Sequence, residues 1–566
     1  MQSRLANDLA AGLIQPGTSE ECLSPLRSNN RLVRWTFLLT GGVLIVLLVV
    51  PFWQTKIPPV VDYPNHLAGD YILAHLAHSA WLSRIYQPHW AVIPDLASDL
   101  ILLPLLSVLP TFIAGKLVLF MSLLAPLMGA LLYNYALFGR LSFWPLASTI
   151  VAFNFAFLLG LANFLFGLGA AFAVAAIWIL WHDRHPGRNA AALVIGSLVV
   201  FFCHITAMFF LAVLLASYEI GQIRRFTVAG VLKRILPLVV TAIPTGLLYL
   251  VSSTASGGWE ASWASPMEKL VYAFAPVMNY SLPLDCLTGV VLIAATILAV
   301  RIKWLELPRC TFIGLTFLLV LFVIAPFRIK GGSFFDLRFI TMAGYLMFGG
   351  MRENPSIPAK HLRVAAACVA VVVCGRIFIV YDVWQSQPEQ VALLQQVARL
   401  VPPGSRVLIA TEFPDNSNPY WQASPAVRRI DSIFVDNYHL STIFLAQRQA
   451  FCQTLFADPT QQPIVVRQAY RDARVESAAW GPPDAALLTI QSLRLDQRER
   501  YPYLPGWQSK FDYVLVMNAG AMRHPDRFIP DRLQLLAGND LAALYRVRPP
   551  AVAAPDNEDA EPAVKP

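Results

Sequence analysis

The chain has 566 residues, of which 56% are hydrophobic and 14% charged, with a mean hydropathy of +0.54, a balance that excludes an ordinary soluble globular protein. The net charge of +8 does not point to nucleic acid, because much of the Lys and Arg sits in short loops between apolar segments, where it reports membrane topology. Cysteine usage excludes a disulfide framework and a zinc-type pair: Cys203, Cys310, Cys368 and Cys374 fall in or beside apolar segments, and only Cys286 and Cys452 are placed to face an oxidising compartment.

The N-terminal arm, 1–34, is polar and punctuated by Pro16, Gly17 and Pro25, so no cleavable signal peptide is expected. A bilayer core roughly 30 Å thick needs about 17 to 25 apolar residues per helix. Stretches of that kind, some of them shorter, recur at 35–53, 113–138, 143–160, 163–182, 190–203, 205–220, 235–252, 285–303, 310–327, 337–351 and 364–381, about eleven in all. Arg27, Arg31 and Arg34 place the N-terminus inside, and Arg140, Arg184, Arg224, Arg225, Lys233, Arg301, Arg309, Arg352 and Lys360 then also fall inside. This pattern requires 96–110, broken by Pro104, to be an external helix against the membrane, and 190–220 to divide into two short helices that meet outside near His204. Residues 35–383 thus form a transmembrane module with a large external loop at 54–112, and everything after Tyr381 is external (periplasmic).

Past residue 384 the apolar runs shrink to strand length. The pattern predicts an amphipathic helix over 387–400, strands at 406–410, 463–466 and 511–517, and a terminal hairpin of 533–536 with 542–547 around Gly538 and Asn539. Together these predict a small α/β domain over 384–548, followed by a disordered tail rich in Ala, Pro and acidic residues at 549–566. The fold class is therefore a polytopic α-helical membrane protein with a C-terminal external α/β domain.

Candidate chemistry begins in the first external loop. Asp62 precedes Pro64 as a helix N-cap would, and Asp62, His66 and Asp70 follow at i, i+4 and i+8 along one helix face. Their bland reading is a cap and a wet face; their functional reading is a site at the membrane surface that meets a lipid-linked substrate. His75, His78 and His89 extend the polarity, and Asp95 and Asp99 form a second acidic pair. A divalent metal ion is the one cofactor such groups suit, although their spacing matches no established metal motif. The second constellation is FRIKGGSFFDLRF at 327–339, where Arg328, Lys330 and Arg338 break the positive-inside pattern and so call for an anionic partner. Arg338 suits a bidentate phosphate contact, with an ion pair to Asp336 as the plain alternative. His204 is a lone polar residue in FFCHITAMF, either a satisfied structural group or part of a cavity lining. Trp259, Glu260, Trp263 and Glu268 in the loop 252–285 fit an interfacial belt as readily as a sugar or lipid contact. No Walker, dinucleotide-binding or nucleophile-elbow motif is present.

On Asp62 after the first span, the helices before the second, the pair of short helices around His204, the Asp336-Leu337-Arg338-Phe339 run before a late span and an external C-terminal α/β domain, the chain resembles the GT-C glycosyltransferases. The resemblance implies transfer of a sugar from a polyprenyl-phosphate-linked donor to a glycolipid, glycan or protein acceptor at the outer face of a bacterial inner membrane, amid membrane lipids. It gives Asp62 the role of catalytic carboxylate, His66, Asp70, Asp99 and His204 supporting or acceptor roles, and Arg338, Lys330 and Arg328 the donor phosphate. Where the best-known subfamilies carry Asp-Glu or Glu-x-x-Tyr-type signatures, this chain has Asp-Tyr-Pro-Asn-His at 62–66. The competing reading is a non-catalytic lipid or polysaccharide transporter or assembly subunit that uses the same loop for binding.

Overall fold

The computed structural model describes residues 31–548 apart from 183, 224, 226, 257–260, 331, 414, 416, 419, 422–429, 431–433, 474–480 and 491. The expectations for most of the N-terminal arm, the tail, Arg224, Trp259 and Glu260 lie outside these residues.

Ten apolar helices and one broken segment make up the bundle among the described residues: α1 (Arg31–Gln54), α4 (Thr111–Phe138), α5 (Ala162–Trp181), α6 (Pro186–Cys203), α7 (Ile205–Gly221), α8 (Val228–Leu250), α9 (Leu282–Arg301), α10 (Arg309–Ile324), α11 (Phe335–Gly349) and α12 (Ala359–Trp384). Between α1 and α4 lie α2 (Tyr63–His75) and α3 (Ala97–Leu106). Seven helices among the described residues have the length and apolar composition to cross a membrane, while α7 and α10 are apolar but shorter. Large apolar side chains such as Leu232, Leu236, Val240 and Leu247 on α8 and Leu287, Val291 and Leu298 on α9 are exposed. Patches of that size are unstable in water but cost nothing against lipid tails. The chain is thus a polytopic membrane protein.

The stretch expected as a helical span at 143–160 is not one. It forms a 3-10 helix (Trp144–Val151) and a five-residue α-helix (Phe155–Leu159). Asn154 caps the second piece by accepting from the Phe157 N–H at 3.0 Å, and Gly160 ends it at φ +93°, a conformation that side chains with a Cβ disfavour. Irregular backbone at membrane depth survives only when protein covers it, and residues 147–160 here are buried against α4, α11 and α12. The division of 190–220 at His204 is observed: α6 ends at Cys203 and α7 begins at Ile205.

One buried ion pair links α9 and α12. Arg376 on α12 donates from Nη1 to Asp285 Oδ1 on α9 at 2.9 Å, from Nε to the Ile150 carbonyl of the broken segment at 2.9 Å, and from Nη2 to the Val277 carbonyl. Asp285 Oδ2 accepts from the Asn279 N–H at 2.8 Å. The pair therefore ties three transmembrane elements together.

After α12 the chain enters α13 (Gln387–Ala398) and a five-stranded sheet. Its strands are β2 (Arg406–Thr411), β3 (Phe451–Cys452), β5 (Tyr513–Met517), β6 (Leu533–Gly538) and β7 (Ala542–Val547), in the order β6-β7-β5-β2-β3. β5 pairs in parallel with β2, and β2 with β3, while β7 lies antiparallel between β6 and β5. The strand expected at 463–466 is present but stands outside this sheet. As β4 (Ile464–Val466) it pairs antiparallel with β1 (Tyr86–Pro88), from the loop between α1 and α4. Helix α14 (Leu440–Gln447) packs on α2, so the soluble domain rests on the same loop. The described cysteines, Cys286 and Cys452 among them, are free.

Candidate functional site

The broken segment sets the first residue of the site in place. The Leu158 carbonyl accepts from the Val61 N–H at 2.9 Å and the Leu159 carbonyl from the Asp62 N–H at 3.1 Å. Gly160 makes room beside them, since a Cβ there would lie 3.0 Å from Asp62 Cβ. Asp62 does occupy the N-cap position of α2, but its side chain makes no capping bond. The expectation that it works as a cap is corrected: its carboxylate is turned instead into a cavity of about 200 Å³, where Oδ1 lies 3.6 Å from His439 Nε2.

Asp62, His66, Asp70, Asp95, His204 and Arg338 all line this one cavity, with Tyr438 and His439 of the C-terminal domain closing it. His204 sits in the break between α6 and α7, where its Nδ1 accepts from the Thr206 N–H at 3.0 Å; in the neutral ring this leaves the proton on Nε2. Arg338 lies in the first turn of α11, buried, with its guanidinium 6.0 Å from the centre of the Phe164 ring and no partner for Nε among the described residues. The plain alternative for Arg338 does not hold, because Asp336 is bonded to Lys269 Nζ at 3.1 Å.

Arg328 and Lys330, the other expected phosphate ligands, are not brought to the cavity. Lys330 Nζ donates to the Ala255 carbonyl at 3.1 Å and to Tyr249 Oη at 3.3 Å, and Arg328 lies in a short strand pairing with Ala261–Ser262. Glu268 forms a capping box with Ser265, and the Trp263 indole donates to the Ile324 carbonyl at 3.1 Å.

Asp99 stands behind the cavity wall, hydrogen-bonded to Asp70. Desolvation pushes both carboxyls up, that of Asp99 to about 6 and that of Asp70 well above the usual range, the Asp99 charge adding to the effect on Asp70. Asp70 Oδ1 and Asp95 Oδ1 have no partner among the described residues. Burial, then the charge of Asp99, raises the Asp95 carboxyl to about 7 against the opposing Arg338. Among the described residues no group of three or more His, Cys, Asp or Glu is arranged to hold a metal ion.

A carboxyl that holds its proton more tightly in the folded chain adds stability below the ordinary carboxylate range, and this is lost as pH rises through the folded value. Asp70→Asn removes that liability from the Asp70–Asp99 pair. Its melting temperature in detergent should match wild type near pH 4 and exceed it increasingly from pH 6 to 8; a difference independent of pH would show that the pair shares no proton.

For Asp62 the bulk of the surrounding protein pushes the carboxyl up to about 7, even though 27% of the side chain remains accessible. Burial moves His66 down to about 4 and His439 down to about 3, so both rings are neutral near pH 7. The sequence reading did not anticipate that His439 touches Asp62, nor that Asn65 binds the C-terminal domain. Nothing local marks either residue; only the packing of α14 on α2 brings them together.

No family model matches the chain, and no curated protein matches it. Among solved structures, ArnT from Cupriavidus metallidurans bound to undecaprenyl phosphate is similar over 90% of this chain and 97% of that one, at 11% sequence identity and a TM-score of 0.46.

Proposed function

We propose that the chain is a GT-C-type membrane glycosyltransferase that moves a sugar from a polyprenyl-phosphate-linked donor to a glycolipid, glycan or protein acceptor at the outer face of a bacterial inner membrane. The observation that carries this reading is the convergence of Asp62 and Arg338 on one cavity between the bundle and the soluble domain.

In the reaction the acceptor hydroxyl gives its proton to the Asp62 carboxylate as its oxygen bonds to the sugar C1. The bond from C1 to the phosphate oxygen breaks, its electron pair leaves on the polyprenyl phosphate, and Arg338 stabilises that charge. A carboxyl near 7 is suited to this task, since a base works best when its pKa lies near the operating pH. Only the ionised form accepts the proton, so transfer should rise with pH through about 7. His204, whose Nε2 carries a proton, and Asp95 are placed to contact sugar hydroxyls.

The test is a deletion strain profiled for envelope glycolipids and polyprenyl-linked sugars. Loss of the protein should leave one envelope component unglycosylated and let a polyprenyl-phosphate sugar accumulate. Arg338→Gln should fail to restore transfer by roughly two orders of magnitude, the usual cost of one charge-stabilising donor. An unchanged glycan and lipid profile in the deletion strain would remove the transferase reading.

A further inference from the structure

Resting on the reading of Asp62 as the base, we propose that His439 is its positioning residue: the C-terminal domain delivers an imidazole whose Nε2 proton faces Asp62, holding the carboxylate ionised and correctly turned.

The tautomer follows from Asn65, fully buried one turn along α2 from Asp62. Asn65 Oδ1 accepts from the Phe456 N–H at 2.8 Å, and Nδ2 donates to the Thr454 carbonyl at 2.7 Å. Flipping the amide would set donor against donor and acceptor against acceptor, so its orientation is fixed. The same Nδ2 lies 3.2 Å from His439 Nδ1, which must therefore accept. In a neutral imidazole this leaves the proton on Nε2, 3.6 Å from Asp62 Oδ1. The separation is slightly beyond a hydrogen bond, and contacts of this kind commonly tighten once substrate is bound. Burial keeps the ring neutral, pushing its pKa down to about 3.

The imidazole is carried rigidly. The turn before α14 is tied to the central strands through Asn437 Nδ2, which donates to Asn518 Oδ1 at 2.9 Å, and Asn518 Nδ2, which donates to Thr411 Oγ1 at 3.2 Å. Phe456 packs edge-on to His439 and to His66, with ring centroids 5.1 and 5.3 Å away. Among the described residues the titratable groups around Asp62 are Tyr63 and His66 on its own helix and Tyr438 and His439 from the domain, with Asp70, Asp95, His204 and Arg338 on the remaining walls. Of these, His439 is placed to donate to Asp62 Oδ1 from the domain side.

The test uses the full-length protein in lipid nanodiscs and needs no substrate. Nitrogen-15 histidine and carbon-13 aspartate NMR, assigned by loss of signal in His439→Gln and Asp62→Asn, should show His439 as the Nε2–H tautomer from pH 5 to 8; a proton on Nδ1 would overturn the proposal without any variant. The Asp62 midpoint should rise by on the order of one pH unit in His439→Asn, whose short amide reaches only the Nδ1 side, because a lost donor disfavours the charged form. In His439→Gln, whose amide nitrogen reaches the Nε2 position, the midpoint should stay at the wild-type value. Equal midpoints in wild type and His439→Asn, with Asp62→Asn still unable to support transfer in cells, would overturn the positioning role and leave the base in place. A fully active Asp62→Asn would remove the base, and this role with it.

Discussion

Asp62→Asn is expected to lower sugar transfer by roughly 10²- to 10⁴-fold, the usual contribution of a positioned general base, while expression and melting temperature stay at wild-type values or rise slightly. The stability half of this expectation comes from the structure. A capping aspartate replaced by Ala costs about 0.5–2 kcal/mol, but the Asp62 side chain caps nothing. Its carboxylate is desolvated, so a neutral isostere relieves a cost instead of creating one. Asp62→Ala should accordingly be no less stable than Asp62→Asn, and equally unable to transfer sugar. Glycan profiling of complemented deletion strains, with melting curves of the purified variants, checks both halves. Full complementation by Asp62→Asn would end the catalytic assignment.

Breaking the ion pair between α9 and α12 should have the largest effect on stability. Asp285 and Arg376 are buried, 1% and 6% exposed, and the surrounding carbonyls and N–H groups complete their hydrogen bonds. Removing one member leaves the other charged and unmatched, which costs about 3–5 kcal/mol. Arg376→Leu and Asp285→Leu should each expose the bundle to proteolysis and reduce its level in the membrane. The double variant should recover most of the loss, because replacing a whole buried pair by apolar groups is often neutral. A double variant as unstable as either single one would show that the hydrogen bonds to Ile150 and Asn279, rather than the pair, hold these helices.

Hydropathy made the membrane class legible, and the basic loops made the break at His204 legible, because each depends on local composition. The strands at 406–411 and 513–517 and the terminal hairpin were legible for the same reason. The broken segment was not, since an apolar run of spanning length says nothing about Asn154 capping its middle or Gly160 ending it. Arg376 sat inside an apparently lipid-facing run, its partner 91 residues away. Lys330 was read as a cation in want of an anion, yet the carbonyls that satisfy it belong to a loop some 75 residues earlier in the chain. Asp62 and Arg338 were found by sequence because each begins a helix next to an expected membrane boundary. His439 carries no local mark, because its meaning depends on Asn65, 374 positions away.

The Asn65 clamp also has a temporal side. At synthesis rates of roughly 5–20 residues per second, the 374 residues from Asn65 to His439 take about 20 to 75 s to emerge. Throughout that interval Asn65 lacks His439, Thr454 and Phe456, the three residues that fill its hydrogen bonds, so the clamp closes only once the C-terminal domain has been made.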